Sequence, residues 1–461
     1  MISLINRTNC NKIPTAFFLL LVFSYLLPNL RYPSVGENSF LTVLIVIFSY
    51  SLLTYREIKI YLIIGILCLF SPLYSGLFFT EFEYFSIISS LMSLYIITVP
   101  VISSITLGRI IGYRYSNKSN QIIRKDFYSF ISLLFLLFPL SAFLKRVAPK
   151  VLYFFLHAGR TSHGRYAFFF TEPSQSSIIL IGLLFLGICF FFKNRFSMIF
   201  PKRKLIGFVI TSYAILLVYL AQPLTAFAQL LLLILISFSI LTSHFIYQIV
   251  VNKTIKLRIF GLKKSFLFLS QVFIILSIIS YFVYYATTNY FIRILGLLNF
   301  IDKRGLFEGI TISAGNRFQY VVVSLIEGIR KPLSIPGDWV GQFYGSLVNV
   351  LSEYNMPPDY YSLELYKQSV NPLVLKPSGW LYFGIYDLGI IGLLIVSIFL
   401  FKRYLSWSIK GIIECDKFII LLVSAQLSFL LMPLLPSTPY VFLPILLASI
   451  RFSYQEKRVI N

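Results

Sequence analysis

The most constraining feature of the sequence is a series of apolar runs that recurs along the whole chain. A helix needs about 20 predominantly apolar residues to cross roughly 30 Å of hydrocarbon. The runs lie at residues 14–30, 39–55, 60–79, 84–107, 127–144, 175–192, 205–221, 224–243, 265–286, 379–401, 418–434 and 437–450. They predict about 12 transmembrane helices. The last two runs are short and separated only by "PSTP", so a re-entrant pair is an alternative there.

Composition supports the same class of protein. Hydrophobic residues make up 57% of the chain and charged residues 12%, whereas soluble domains are usually about 25% charged. We therefore interpret the chain as an all-α polytopic integral membrane protein that forms one membrane domain over residues 1–461. Its formal charge of +23 would suggest a nucleic-acid partner in a soluble protein. Here membrane topology explains the charge better, and no nucleic-acid partner is expected.

The distribution of Lys and Arg between alternating loops predicts the orientation of the chain. Loops on the side of the N-terminus contain 26 of the 40 basic residues, and the other side contains 14. Short loops rich in Lys and Arg mark the cytoplasmic face. Both termini are therefore expected in the cytoplasm.

Two predicted external segments, 145–174 and 287–378, are much longer than turns. In the second, apolar residues recur at helical spacing, as in "RFQYVVVSLIEGI". This pattern predicts amphipathic helices that lie against the outer leaflet.

The first external segment holds a dense group of titratable side chains. Within sixteen residues it contains His157, Arg160, His163, Arg165 and Glu172. One interpretation is interfacial, with arginines that extend toward lipid headgroups and a glutamate that neutralises one of them. The density favours a functional site instead, because histidine exchanges protons near neutral pH and a carboxylate beside apolar walls can act as a general base. The neighbouring "FFF" at 168–170 would supply such walls.

Three further residues are candidates for substrate contacts. Gln222 and Thr225 lie on either side of a proline at the start of a predicted helix. Proline is common in the first turn of a helix, so the proline by itself indicates no function. Arg317 follows Gly315 and Asn316 in the second external segment, where an arginine is usually only a solvated charge. The chain has no GxGxxG, HExxH or CxxC pattern and no GxxxxGK followed by Ser or Thr. We expect neither a cofactor nor a metal.

Several motifs together carry a resemblance to a known family. "GRYAFFFTEPSQSS" before one helix resembles the Arg-x-x-x-Phe and Glu-Pro-Asn/Ser signature of the O-antigen polymerase and ligase superfamily. "AQPLTAFAQLLL", "AGNRFQY" and "SGWLYFGIYDLGIIGLL" follow in the same order as similar segments of that superfamily. The resemblance covers roughly residues 150 to 400.

The resemblance implies a Wzy-type polymerase. Such an enzyme joins oligosaccharide repeat units carried on undecaprenyl pyrophosphate, at the outer face of the bacterial plasma (inner) membrane. The expected partners are this lipid-linked oligosaccharide and membrane lipid, with a chain-length regulator and a flippase as further candidates.

Roles for the candidate residues follow from this reading. Arginine grips phosphate bidentately without losing its proton, so Arg165 and Arg317, together with Arg160, are the expected pyrophosphate ligands. Glu172 is the expected base for the acceptor hydroxyl, with His157 and His163 as other candidates.

Two alternatives stay open. A ligase of the same superfamily carries a histidine near the end of the large external loop, where this chain has Pro377 and Ser378 and no histidine from 287 to 378. A flippase or transporter would place charged or broken helices near the bilayer midplane. The predicted spans are almost free of charge, which disfavours that class.

Overall fold

The structure is a computed structural model. The residues that it describes are 10, 13–26, 34–35, 38–39, 41–78, 84–116, 118–148, 150, 168, 173–191, 199–221, 224–252, 299, 302, 316–334, 343–354, 377–433 and 439–460.

The described part of the chain is almost entirely helical. The helices are α1 Thr15–Leu26, α2 Leu41–Ser49, α3 Tyr55–Phe78, α4 Tyr84–Ser116, α5 Asn120–Val147, α6 Pro173–Phe191, α7 Arg203–Ala221, α8 Leu224–Asn252, α9 Asn316–Arg330, α10 Phe343–Glu353, α11 Trp380–Ile413, α12 Lys417–Leu431 and α13 Leu443–Ile460. Single 3-10 turns lie at Tyr50–Leu52 and Pro439–Phe442. Two short strands, β1 Ser34–Val35 and β2 Asn38–Ser39, pair antiparallel.

Four helices among the described residues are long and apolar enough to cross a membrane. They are Ser90–Ser116 within α4, Asn120–Val147, Arg203–Ala221 and Trp380–Ile413. The predicted helical membrane class is therefore confirmed at this level. The predicted total of 12 spans stays a prediction, and the predicted span 265–286 lies outside the described residues.

The chain divides into two compact units. Unit 1 comprises Met1–Asn117, Leu295–Lys402 and Leu430–Asn461. Unit 2 comprises Lys118–Ile294 and Arg403–Phe429. The expectation that all 461 residues form one membrane domain stays a prediction.

In unit 1, a glycine allows α4 and α13 to pack closely. A Cβ atom on Gly108 would lie 2.6 Å from the Leu446 carbonyl oxygen and 2.7 Å from the Ser449 Cβ. Small residues at helix contacts let backbones approach and gain van der Waals contact, which is the main attraction between helices in lipid.

In unit 2, glycines likewise allow α6 and α7 to pack closely. A Cβ atom on Gly187 would lie 2.9 Å from the Thr211 nitrogen, and one on Gly207 would lie 2.9 Å from the Gly187 carbonyl oxygen. Helix α5 adds aromatic contacts, because the rings of Phe135 and Tyr213 have centroids 4.1 Å apart.

An ion pair ties the start of α3 to the end of α4. Arg109 donates to both carboxylate oxygens of Glu57 and to the Leu52 carbonyl oxygen, 2.6 Å away. Glu57 also completes a capping box, since its carboxylate accepts from the Thr54 N–H at 2.7 Å. Helix α4 continues to Ser116, beyond the predicted end at 107, and these partners let this added part of the helix bury Arg109.

Candidate functional site

Most of the predicted site residues fall outside the part of the chain that the structure describes. These are His157, Arg160, His163, Arg165, Glu172 and Gln222. Thr225 and Arg317 are described, each as the second residue of a helix, α8 and α9 respectively, and each is half-buried. Thr225 belongs to unit 2 and Arg317 to unit 1.

Phe168 is the described residue between Arg165 and Glu172. Its side chain is 1% exposed, and its ring packs edge-to-face on Phe138 of α5 with centroids 5.1 Å apart. Its φ of 49° is uncommon for a residue with a side chain. Phe168 is therefore packed on α5, and whether it forms an apolar wall for the predicted site residues stays a prediction.

Helices α9 and α10 form an amphipathic pair in unit 1. The buried faces share a core with α11 that contains Val323, Phe343, Leu347, Val350, Leu351 and Tyr386. The opposite face of α9 is open, since Ile329 is 66% exposed. The helix predicted from "RFQYVVVSLIEGI" is present; its position at the outer leaflet stays a prediction.

The end of α9 carries a network of alternating charges. Glu327 pairs with Arg330 at 3.1 Å and with Lys331 at 3.4 Å, and Arg330 also pairs with Glu353 of α10. The hydrogen bond to Glu353 raises the pKa of the Arg330 guanidinium above its ordinary value. Both cations are paired within the protein, and Arg330 links α9 to α10.

Helix α11 is interrupted at Gly389. This residue has φ 73° and ψ 167°, which is not a helical conformation. A Cβ atom at this position would lie 2.3 Å from the Lys331 carbonyl oxygen and 2.5 Å from that of Pro332. Glycine is therefore required both by the backbone angle and by the close approach of another segment.

The segment after α9, Lys331–Ser334, fills the interruption. The Pro332 carbonyl oxygen accepts from the Ile391 N–H at 2.8 Å, and the Ser334 N–H donates to the Leu388 carbonyl oxygen at 2.9 Å. A broken helix in an apolar environment must have its freed backbone groups satisfied by protein. Lys331–Ser334 supplies these partners, and we call it the backbone plug.

A buried carboxyl group lies two residues before the interruption. Asp387 is 0% exposed and accepts a hydrogen bond from the Ser93 hydroxyl of α4. An ionisable residue inside a membrane helix is costly and is by default a candidate for function.

Sequence reasoning missed Asp387, although a signal was present. It is an aspartate inside the predicted span 379–401. This span therefore contains a charged residue and an interruption, the two features whose expected absence disfavoured a transporter. The sequence of the span does not predict the interruption, because the backbone partners Pro332 and Ser334 lie far earlier in the chain.

Comparison with protein-family models, with characterised proteins and with solved structures finds no match to this chain. Among the described residues, no group of three or more His, Cys, Asp or Glu side chains is placed to hold a metal ion.

Proposed function

We propose that this protein is a polymerase that joins undecaprenyl-pyrophosphate-linked oligosaccharide repeat units into a surface polysaccharide at the outer face of the bacterial plasma membrane. The observation that best supports the proposal is the docking of α9 on α11. Helix α9 carries Arg317 at its start, and it is fixed to a membrane helix at its other end by the backbone plug.

Such docking suits a reaction on a substrate held in the bilayer. The Gly328 backbone of α9 lies against Ile385 of α11, where an added Cβ atom would be 2.9 Å from the Ile385 carbonyl oxygen. A polyprenyl anchor keeps the pyrophosphate at the membrane surface. A cation on a helix that is fixed to the membrane domain stays at that depth, which reduces the entropy lost when substrate binds.

The chemistry requires a bond from an acceptor oxygen to the anomeric carbon of the donor. The bond between that carbon and the pyrophosphate oxygen breaks, and undecaprenyl pyrophosphate leaves. We assign Glu172 to take the acceptor proton, with His157 and His163 as alternative bases. Arg165 and Arg317, with Arg160, stabilise the charge that develops on the leaving pyrophosphate, while Gln222 and Thr225 hydrogen-bond to the glycan.

Deletion of the gene tests the proposal. We expect surface glycolipid that carries one repeat unit, with the long-chain ladder absent on a gel. Restoration of the ladder by the wild-type gene is the control. An unchanged ladder would rule out the polymerase, and loss of even the single capped unit would indicate a ligase or a flippase.

The buried Asp387 and the interruption at Gly389 favour a second candidate, a flippase or transporter of lipid-linked units. Buried carboxyl groups and discontinuous helices are common where a membrane protein binds coupling ions or substrate. This candidate predicts that the deletion strain accumulates lipid-linked units on the cytoplasmic side. The polymerase instead predicts accumulation on the outer side, where an added glycosidase can reach them.

A further inference from the structure

Gln229 of α8 is a buried glutamine whose side-chain amide is left unpaired by the described part of the chain. It is 0% exposed, and neither its nitrogen nor its oxygen has a hydrogen-bond partner among the residues that the structure describes. A buried amide without a partner loses its hydrogen bonds to water and gains none in return. An unsatisfied buried group in a native structure calls for an explanation, and a contact with a ligand is one that the position of Gln229 allows.

The side chain lies on the protein-facing side of α8. Ala226, Leu230 and Leu233 share that buried face, whereas Leu231 and Leu235 on the opposite face are exposed by 47% and 52%. Helix α8 packs on α6, which begins at Pro173 in the "EPSQSS" motif. Gln229 therefore belongs to the interior of unit 2.

The spacing of Gln229 extends a row of polar residues. Thr225 and Gln229 are four positions apart in α8, which places them on one face of the helix. Four residues of helix cover about 6 Å. The row therefore leads from the predicted outer end of α8 into the unit.

We propose that the Gln229 amide binds the sugar of the lipid-linked substrate, and this inference rests on the proposed polymerase function. An amide offers two donors and one acceptor. Sugar hydroxyl and acetamido groups both donate and accept, so they can satisfy both ends of the amide. A pyrophosphate only accepts and would leave the Gln229 oxygen unpaired.

The experiment compares Gln229→Met with Gln426→Met in otherwise wild-type, full-length protein. Methionine has nearly the length of glutamine and removes both hydrogen-bonding groups. Gln426 is the comparison, since it is buried in α12 of the same unit and has an interaction partner in the protein, whereas only its Oε1 lacks a hydrogen-bond partner among the described residues. Two quantities are measured for each variant: the thermal unfolding midpoint in detergent, and polymer length in the deletion strain at equal membrane amounts.

The two variants are expected to separate stability from activity. Gln229→Met should keep or raise the unfolding midpoint and lower long-chain polymer about tenfold. Gln426→Met should lower the midpoint and leave polymer per folded molecule unchanged. A full ladder from Gln229→Met, or a midpoint lowered as in the control, would overturn the role of Gln229 alone. An unchanged ladder in the deletion strain would overturn the polymerase and this inference with it.

Discussion

At the scale of single residues, Gly389 is held by two independent constraints. Its φ of 73° lies in the left-handed region, and the Lys331 and Pro332 carbonyl groups occupy the space that a side chain would need. Asp387 and Gln229 are also unfavourable for folding, because each buries a polar side chain in an apolar helix. Departures of this kind from local rules concentrate at functional sites.

Gly389→Ala should destabilise the protein by on the order of 1–3 kcal/mol, because alanine combines backbone strain with a clash. The unfolding midpoint in detergent measures this. Gly65→Ala in α3 is the control, since nothing lies within 4 Å of the added Cβ atom and φ is not in the left-handed region. That variant should be neutral or up to about 1 kcal/mol more stable. Equal midpoints for the two variants would contradict the role assigned to the backbone plug.

Arg165→Lys and Arg317→Lys test bidentate binding of the pyrophosphate. Lysine keeps the charge but lacks the planar fork of donors, so polymer formation should fall by roughly 30- to 1000-fold, equivalent to about 2–4 kcal/mol of transition-state stabilisation. Polymer length is compared at equal membrane amounts. Arg304→Lys is the control and should keep the ladder. Near-normal ladders from both test variants would show that a point charge suffices.

At the scale of helices, the sequence predicts where most apolar segments lie but not how they are interrupted or extended. Helix α7 begins within two residues of the predicted span 205–221 and ends with it, because uninterrupted apolar length determines a simple membrane helix. Helix α4 and the break in α11 depend on tertiary partners, Glu57 and the backbone plug. No local pattern encodes those contacts.

The candidate site was predicted only in part for the same reason. Charge density makes the first external segment a candidate, which stays a prediction, and helical spacing predicted the helix α9 that carries Arg317. Gln229 and Asp387 each stand as one polar residue in an apolar run. Their importance appears only when burial and hydrogen-bond partners are known.

The start of α3 should make stability depend on acidic pH. Burial raises the pKa of Glu57, but the hydrogen bonds and the charge of Arg109 outweigh burial and hold this pKa below its ordinary value of 4.5. The pair therefore contributes its full stability above pH 4.5, and this contribution is lost as the pH falls through the lower folded-state pKa.

Unfolding midpoints measured from neutral to acidic pH test this dependence. Glu57→Gln should lower the midpoint at neutral pH and reduce the loss on acidification. Glu414→Gln is the control, because Glu414 is exposed and pairs only across one helical turn with Lys410 at 3.8 Å. The control should follow the wild-type curve. Parallel curves for wild type and Glu57→Gln would exclude Glu57 as a source of the acid sensitivity.

At the scale of the whole molecule, orientation in the membrane connects all the assigned roles. The excess of basic residues, 26 against 14, predicts that both termini lie inside and that the segments 145–174 and 287–378 lie outside. The proposed polymerase, which uses Arg165, Glu172 and Arg317, requires these residues on the outer face, where it would join the lipid-linked units.

Reporter fusions at Lys118 and Asn355 measure the orientation directly. A fusion at Lys118 should report the cytoplasm, and one at Asn355 should report the outer side. Alkaline phosphatase and green fluorescent protein give opposite signals at each position and so control for expression. A cytoplasmic signal at Asn355 would remove Arg317 from the proposed site.

The interruption of α11 also has a consequence for biosynthesis. The segment Trp380–Leu388 before the break is only about 13 Å long as a helix, too short to cross the hydrocarbon layer by itself. The backbone plug precedes it in the chain, so the ribosome completes Lys331–Ser334 before α11 enters the translocon. The order of synthesis therefore delivers the hydrogen-bond partners before the broken helix needs them.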